Sequence, residues 1–166
     1  MRAGIALGAN LGDRLACLTT ARAEIFALPG VRPPLLSSSL YETEPVDCEP
    51  GAAKFINAVI EIGYRDAARD LLQQLQRIEE RHGRPAGHAR NRSRTIDLDL
   101  LYYGEQRARE AQLTLPHPRL RERAFVVQPL AEIRPDLILP GEDKTARELA
   151  AALGTTPSVV RLSMRW

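Results

Sequence analysis

The segment Arg94-Thr95-Ile96-Asp97-Leu98-Asp99-Leu100-Leu101-Tyr102-Tyr103, closed by Gly104, constrains this chain more than any other stretch. A strand repeats its side chains every two residues, which predicts Ile96, Leu98, Leu100 and Tyr102 on one face and Thr95, Asp97, Asp99 and Leu101 on the other. Two carboxylates then share a face, with Cα atoms roughly 6.6 Å apart at about 3.3 Å rise per residue. Like charges at that spacing repel unless something positive lies between them, and both heads can converge on one hard cation or an adjacent pair. An edge strand with solvated aspartates is the alternative that spacing alone leaves open.

The surrounding composition narrows the choice. At 166 residues and 44% hydrophobic content the chain reads as a single domain, 1–166, able to bury a core without staples. A formal net charge of +2 announces neither nucleic acid nor membrane as a partner. Lys occurs only at Lys54 and Lys144, so the basicity is carried by Arg. Cys17 and Cys48 have no CxxC spacing, which supports neither a zinc site nor a disulfide framework and suggests a reducing, cytoplasmic setting. The opening Met1–Leu7 is too short an apolar run for a secretory signal, and no span reaches transmembrane length.

In chain order, Ala3–Leu7 reads as a first strand and Gly8–Asp13 as a tight loop. Asp13 would cap a helix carrying Leu15, Leu18, Ile25 and Leu28, stopped by Pro29-Gly30. The glycine loop lacks the Gly-Lys-Ser/Thr ending of a P-loop and the third glycine of a dinucleotide fingerprint, so it reads as a connector. Residues 35–43 suggest a second strand. Phe55–Ile62 is a third, with Phe55, Asn57 and Val59 on one face and Ile56, Ala58 and Ile60 on the other. A second helix runs from Asp66 to His82, with Gly83 behind it. Arg84–Ser93 follows as a polar segment delivering guanidinium groups beside the paired aspartates. It and the loop Val46–Ala53 are expected to order when substrates bind. Beyond Gly104 come a hairpin with a short strand at Leu113–Leu115, an Arg119/Arg121/Arg123 alternation that reads as a solvated basic face, and a short helix opening at Pro129 through Ile133. A capping box, Thr145-Ala146-Arg147-Glu148, starts a last helix, and Val159–Leu162 closes the chain as a strand.

The order strand, helix, strand, strand, helix, strand predicts an α+β chain with a ferredoxin-like βαββαβ core, its antiparallel sheet flanked by helices in α-β-α layers. Carboxylates able to hold Mg²⁺ beside arginines able to grip polyphosphate form a minimum kit for phosphoryl transfer. An RNA-binding module using the Arg-rich segments shares this element order and is the alternative. It needs exposed aromatics on the central strands, and the chain offers little beyond Phe55, Tyr102 and Tyr103.

Five motifs in order, Gly8-Ala9-Asn10-Leu11-Gly12-Asp13-Arg14, Tyr41-Glu42-Thr43-Glu44-Pro45, Phe55-Ile56-Asn57-Ala58, Arg94 to Leu100, and Leu115-Pro116-His117-Pro118-Arg119, resemble the 6-hydroxymethyl-7,8-dihydropterin pyrophosphokinases of folate biosynthesis. Arg123-Ala124-Phe125 and Pro129-Leu130-Ala131-Glu132-Ile133 extend the resemblance over nearly the whole chain. It implies transfer of diphosphate from ATP to the hydroxymethyl group of the reduced pterin, with release of AMP, by a cytoplasmic enzyme working as a monomer on small molecules alone. Asp97 and Asp99 would hold two Mg²⁺ ions, with Asp97 also near the attacking hydroxyl, and Arg84 and Arg94 would act beside them in catalysis. Gln76, Glu79, Arg84, Arg94, Leu100, Thr114, His117 and Arg123 would contact ATP. The pterin would lie between Phe55 and Phe125, read by Asn57, Asp97 and the backbone at Thr43, Pro45 and Val46. The chain departs from the pattern at Asn91, where many members carry Trp, and at Gln112, where some place Arg.

Overall fold

A computed structural model describes residues 1–45, 51–83, 95–154 and 158–166. The first strand, β1 (Arg2–Ala9), is an interior strand of the sheet, paired on both sides. Ala3, Ile5, Leu7 and Ala9 are buried on one side of it, while Gly4, Ala6 and Gly8 face the other. β1 is followed by α1 (Arg14–Phe26), β2 (Val31–Ser37), β3 (Tyr41–Thr43), β4 (Phe55–Tyr64), α2 (Ala68–Arg81) and β5 (Asp97–Tyr103). The hairpin β6 (Ala108–Arg109) and β7 (Thr114–Leu115) comes next, then a 3-10 turn at Leu120–Glu122, α3 (Ala124–Ile133), α4 (Ala146–Leu153) and β8 (Val159–Arg161). The strand order β5-β1-β4-β3-β8, antiparallel throughout, is the ferredoxin-like arrangement with one strand added at the edge.

Helices cover both faces because both faces are apolar. Leu18, Ala21 and Ile25 of α1 and Leu71, Leu75 and Ile78 of α2 bury themselves on Ile5, Leu7, Ile60, Ile62, Leu98 and Leu100. On the other side Val126, Val127 and Leu130 of α3 and Leu149 of α4 meet Val59, Leu101 and Tyr102. Each fully buried Leu or Ile contributes about 1.5–3 kcal/mol relative to exposure. α1 begins where expected, the Asp13 carboxylate accepting from the Ala16 amide at 3.0 Å. At α4 the Thr145 hydroxyl accepts from Glu148 N, and Glu148 reaches back to Thr145 N.

Three expectations need correction. The single strand over 35–43 is two strands that pair in series along the ten residues of β4. Pro33 and Pro34 shift the register of β2 and begin it earlier, at Val31. Between β2 and β3 the Ser38 hydroxyl takes over the ladder, accepting from Val59 N at 3.0 Å. The helix expected to open at Pro129 starts at Ala124, with the proline inside it. A four-residue apolar run reads equally as strand or helix, and here the exposed sheet face is what Ala124–Val127 must cover.

The third correction lies in β5. Gly4 pairs with Tyr102 and Ile5 with Leu100, so Leu101 is an extra residue and the alternation reverses after it. Tyr102 therefore joins Leu101 on the α3 side instead of following Leu100. Its ring lies across Gly4, where an added Cβ would sit 2.1 Å from a ring carbon. Gly4→Ala is accordingly expected to cost about 1–3 kcal/mol through overpacking, read as a lowered melting temperature. An unchanged melting temperature would show that Tyr102 has room to move.

Candidate active site

Asp97 and Asp99 lie half-buried on the face of β5 that looks towards α3, as their alternation predicts. Their cross-strand neighbours are Gly8 and Ala6 of β1. Small residues there leave the space above the sheet open, and the pair Ala6-x-Gly8 is the sequence signal for the cleft. Gly8 serves a second purpose, since an added Cβ would come within 3.0 Å of the Asn57 side-chain oxygen.

Positive charge reaches the aspartates from α3. Arg123, the residue that precedes the helix, donates from Nη1 to Asp99 Oδ2 at 3.1 Å. A guanidinium at a helix N-terminus is at the unfavourable end of the macrodipole, so helix stability does not explain its position. The alternation Arg119/Arg121/Arg123 is not one solvated face. The 3-10 turn divides it, sending Arg121 to Glu142 at 2.9 Å and Arg123 inward.

His117 completes this side. Its backbone N–H donates to Leu101 O at 2.8 Å, anchoring it to β5. Its Nδ1 accepts from Arg119 N at 3.2 Å, so in the neutral ring the proton sits on Nε2, which lies 3.9 Å from Asp99 Oδ2. That gap is too long for a direct hydrogen bond. Burial pushes the imidazole below its ordinary pKa and Arg123 and Arg119 add to the effect, outweighing the opposite pull of Asp99 and Asp97. The ring is thus a neutral donor at pH 7.

Further along the same sheet face, Asn57 and Thr43 are both buried, and Asn57 Nδ2 donates to Thr43 Oγ1 at 2.8 Å. Phe55 stands opposite Thr43 in the β3–β4 ladder, and Phe125 enters from the first turn of α3 with its ring 5.6 Å from the Arg123 guanidinium carbon. Both rings are half-buried, as is Pro45. Carboxylates with a cation at one end and aromatic rings with an amide at the other therefore occupy one continuous face.

The residues expected to border a nucleotide lie around the edge strand β5. Glu79 of α2 is buried and accepts from Leu98 N at 2.8 Å, while Gln76, one turn earlier, is exposed. Leu100 places its side chain in the core under α1 and α2, leaving only its backbone for a ligand. Thr114 is exposed on β7. With His117 it borders a groove of about 730 Å³ that also takes in Arg107, Arg109, Arg121 and Glu142. Arg84, Arg94 and Val46, and the loops 46–50 and 84–93, lie outside the described residues.

Among the described residues no three His, Cys, Asp or Glu side chains form a metal-binding group. Two carboxylates are nonetheless a fitting donor set for Mg²⁺, which is commonly bound by one or two carboxylates with phosphate oxygens and water completing its shell. The RNA-binding alternative fares badly: Tyr102 and Tyr103 are only 2% and 4% exposed, and α3 covers the sheet face that an RNA reader must present.

Comparison with known proteins agrees with this geometry. Residues 4–135 match the family model for 7,8-dihydro-6-hydroxymethylpterin-pyrophosphokinase. The chain is 40% identical over 152 residues to the 2-amino-4-hydroxy-6-hydroxymethyldihydropteridine pyrophosphokinase of Methylorubrum extorquens, covering 92% of this chain and 93% of that one. It is 36% identical to the folic acid synthesis protein of Schizosaccharomyces pombe, covering 93% of this chain but 20% of that larger protein. A wild-type Plasmodium falciparum HPPK-DHPS crystal structure shares the fold at a TM-score of 0.67 and 15% identity, over 91% of this chain and 42% of that one. With a matching family model over most of its length and a relative of equal span, this chain belongs to the 7,8-dihydro-6-hydroxymethylpterin-pyrophosphokinase family, the pyrophosphokinases of folate biosynthesis.

Proposed function

We propose that the chain transfers the terminal diphosphate of ATP to the hydroxymethyl group of 6-hydroxymethyl-7,8-dihydropterin and releases AMP. The observation that carries this reading is the shared sheet face, on which Asp97, Asp99, Arg123 and His117 adjoin Phe55, Asn57, Thr43 and Phe125. The pterin hydroxyl oxygen gives up its proton to solvent and forms a bond to the β-phosphorus of ATP, and the bond from that phosphorus to the α–β bridging oxygen breaks, the oxygen leaving with AMP. Asp97 and Asp99 would hold two Mg²⁺ ions, which when bound supply charge neutralisation on the phosphate oxygens. Asp97 also lies at the side from which the hydroxyl would approach. Arg123 meets phosphate charge from α3 and His117 donates its Nε2 proton to a phosphate oxygen. Arg84 and Arg94 would add guanidinium groups to the same centre, and Gln76, Glu79, Thr114 and the Leu100 backbone would border the nucleotide. Phe55 and Phe125 stack on the pterin while Asn57 and the backbone of Thr43, Pro45 and Val46 read its polar edge. The same reading takes residues 1–166 as one catalytic domain, a cytoplasmic monomer.

Product analysis tests it. Incubation with ATP, Mg²⁺ and the reduced hydroxymethylpterin should yield AMP. ADP would mean an ordinary kinase, and no turnover would remove the assignment. The two rings give a second expectation: base–aromatic stacking, a related interaction, is worth about 1–3 kcal/mol, so Phe55→Ala or Phe125→Ala should weaken pterin binding by roughly 5- to 150-fold. ATP affinity should change far less. Calorimetric titration showing unchanged pterin affinity in either variant would sink that ring's assignment.

A further inference from the structure

The Pro129-Leu130-Ala131-Glu132-Ile133 stretch has no part in the chemistry above, yet its carboxylate is among the most heavily bonded in the molecule. Glu132 Oε2 accepts from the Ser39 amide at 2.9 Å and the Tyr41 hydroxyl at 3.0 Å. Oε1 accepts from the Ser39 hydroxyl at 2.8 Å and from Arg161 Nη2 at 2.8 Å. Arg161 donates in addition to the Ser39 hydroxyl at 2.9 Å, which closes the cluster. The Tyr41 phenol, pushed up to about 12 by burial and by Glu132, remains a donor at any working pH.

These partners all belong to β3, the residues just before it, or β8, and β3 is the strand that carries Thr43. In the ladder, Tyr41 pairs with Asn57 and Thr43 with Phe55. Glu132 stands seven residues after Phe125 in α3, two helical turns along and on the same face. One end of that face thus bears a pterin-stacking ring, and the other is bonded to β3, the strand laddered to the stretch of β4 that bears the opposite wall, Phe55. Apolar contact between α3 and the sheet is not directional and tolerates sliding. Hydrogen bonds to a carboxylate are directional and lose strength steeply off axis, so they fix the seat of the helix.

We infer that Glu132 is a positioning residue for the pterin pocket: by holding the last turn of α3 to the start of β3, it sets the gap between Phe125 and Phe55. The inference rests on the proposed role of those two rings. In Glu132→Gln the side chain keeps its size, but its amide nitrogen meets donors and the charge is gone. Losing charge-assisted bonds of this kind should raise the pterin KM by about tenfold, with little change in the KM for ATP. A merely structural carboxylate would lower the melting temperature without separating the two substrates.

A double-mutant cycle decides the point. If Glu132 acts through Phe125, Glu132→Gln should raise the pterin KM in the wild-type background and add nothing in the Phe125→Ala background. Equal rises in both backgrounds, or no rise in the first, would overturn the inference while leaving the pocket intact. An unchanged pterin KM in Phe125→Ala alone would instead overturn the pocket reading and, with it, the inference. Should Glu132→Gln fold poorly, Tyr41→Phe removes one donor and keeps the ring in place. It should show the same pattern at smaller amplitude, a pterin-specific rise that vanishes in Phe125→Ala.

Discussion

Asp97→Asn and Asp99→Asn should each lower turnover by at least roughly 10²–10³ at saturating Mg²⁺ and substrates, because each removes electrostatic stabilisation of charge developing on the transferred phosphoryl group. Folding should scarcely notice. Both carboxylates lie in a half-exposed cleft and share one strand face, so their mutual repulsion opposes whatever attraction their partners supply. The Arg123–Asp99 pair at 3.1 Å joins side chains 22% and 32% exposed, and ion pairs with this access to solvent are worth about 0–1 kcal/mol. The melting temperature of Asp97→Asn should therefore match or exceed the wild type without Mg²⁺, and that of Asp99→Asn should lie within a few degrees of it. The informative comparison is thermal melting beside turnover in the same preparations. Near-normal turnover in either variant would remove that residue from the metal assignment and restore the solvated-edge reading of the strand. A large fall in melting temperature would show instead that the aspartate is part of the scaffold.

Glu61→Ala should have the opposite signature, a loss of about 1–3 kcal/mol of stability with the catalytic face chemically untouched. Glu61 is 0% exposed in the middle of β4. It accepts from the Tyr102 hydroxyl at 2.6 Å, from Arg2 at 2.8 Å and from Arg134 at the end of α3. Burial alone would push its carboxyl up, but the bonds from Arg134, Tyr102 and Arg2 outweigh that and hold it below the ordinary range. Removing the carboxylate strands the Tyr102 hydroxyl in the core and frees two guanidinium groups that were folded onto it. The sign of the pH dependence follows from the lowered folded value. The contribution is fully present above the unfolded Glu pKa of about 4.3 and is lost as pH falls through the lower folded value. The melting-temperature gap between wild type and Glu61→Gln should accordingly be widest near neutrality and close on acidification. A gap that stayed constant from neutrality down to strongly acid pH would show that shape rather than charge is what Glu61 supplies.

The sequence by itself determined whatever depends on neighbours in the chain. Asp97 and Asp99 share a face because a strand alternates, and Asp13 and Thr145 start helices because their side chains reach amides three residues on. The βαββαβ order, and with it the sheet, follows from where hydrophobic periodicity changes from two to 3.6. Motif order carried the family resemblance further, to Phe55, Asn57, His117 and Phe125, without saying how they meet. What only the tertiary structure decided involves partners distant in sequence. Tyr102 leaves its expected face because Gly4 receives its ring and Glu61 its hydroxyl. Ala124–Val127 becomes helix because an apolar sheet face needed a cover. Arg123 turns inward while Arg121 turns out because a 3-10 turn and Asp99 separate them. Glu132 joins Ser39 and Arg161 across 93 and 29 residues of chain. Local pattern fixes which way a side chain points, but no local pattern encodes a contact whose other half lies on another element, and those contacts set the shape of the cleft.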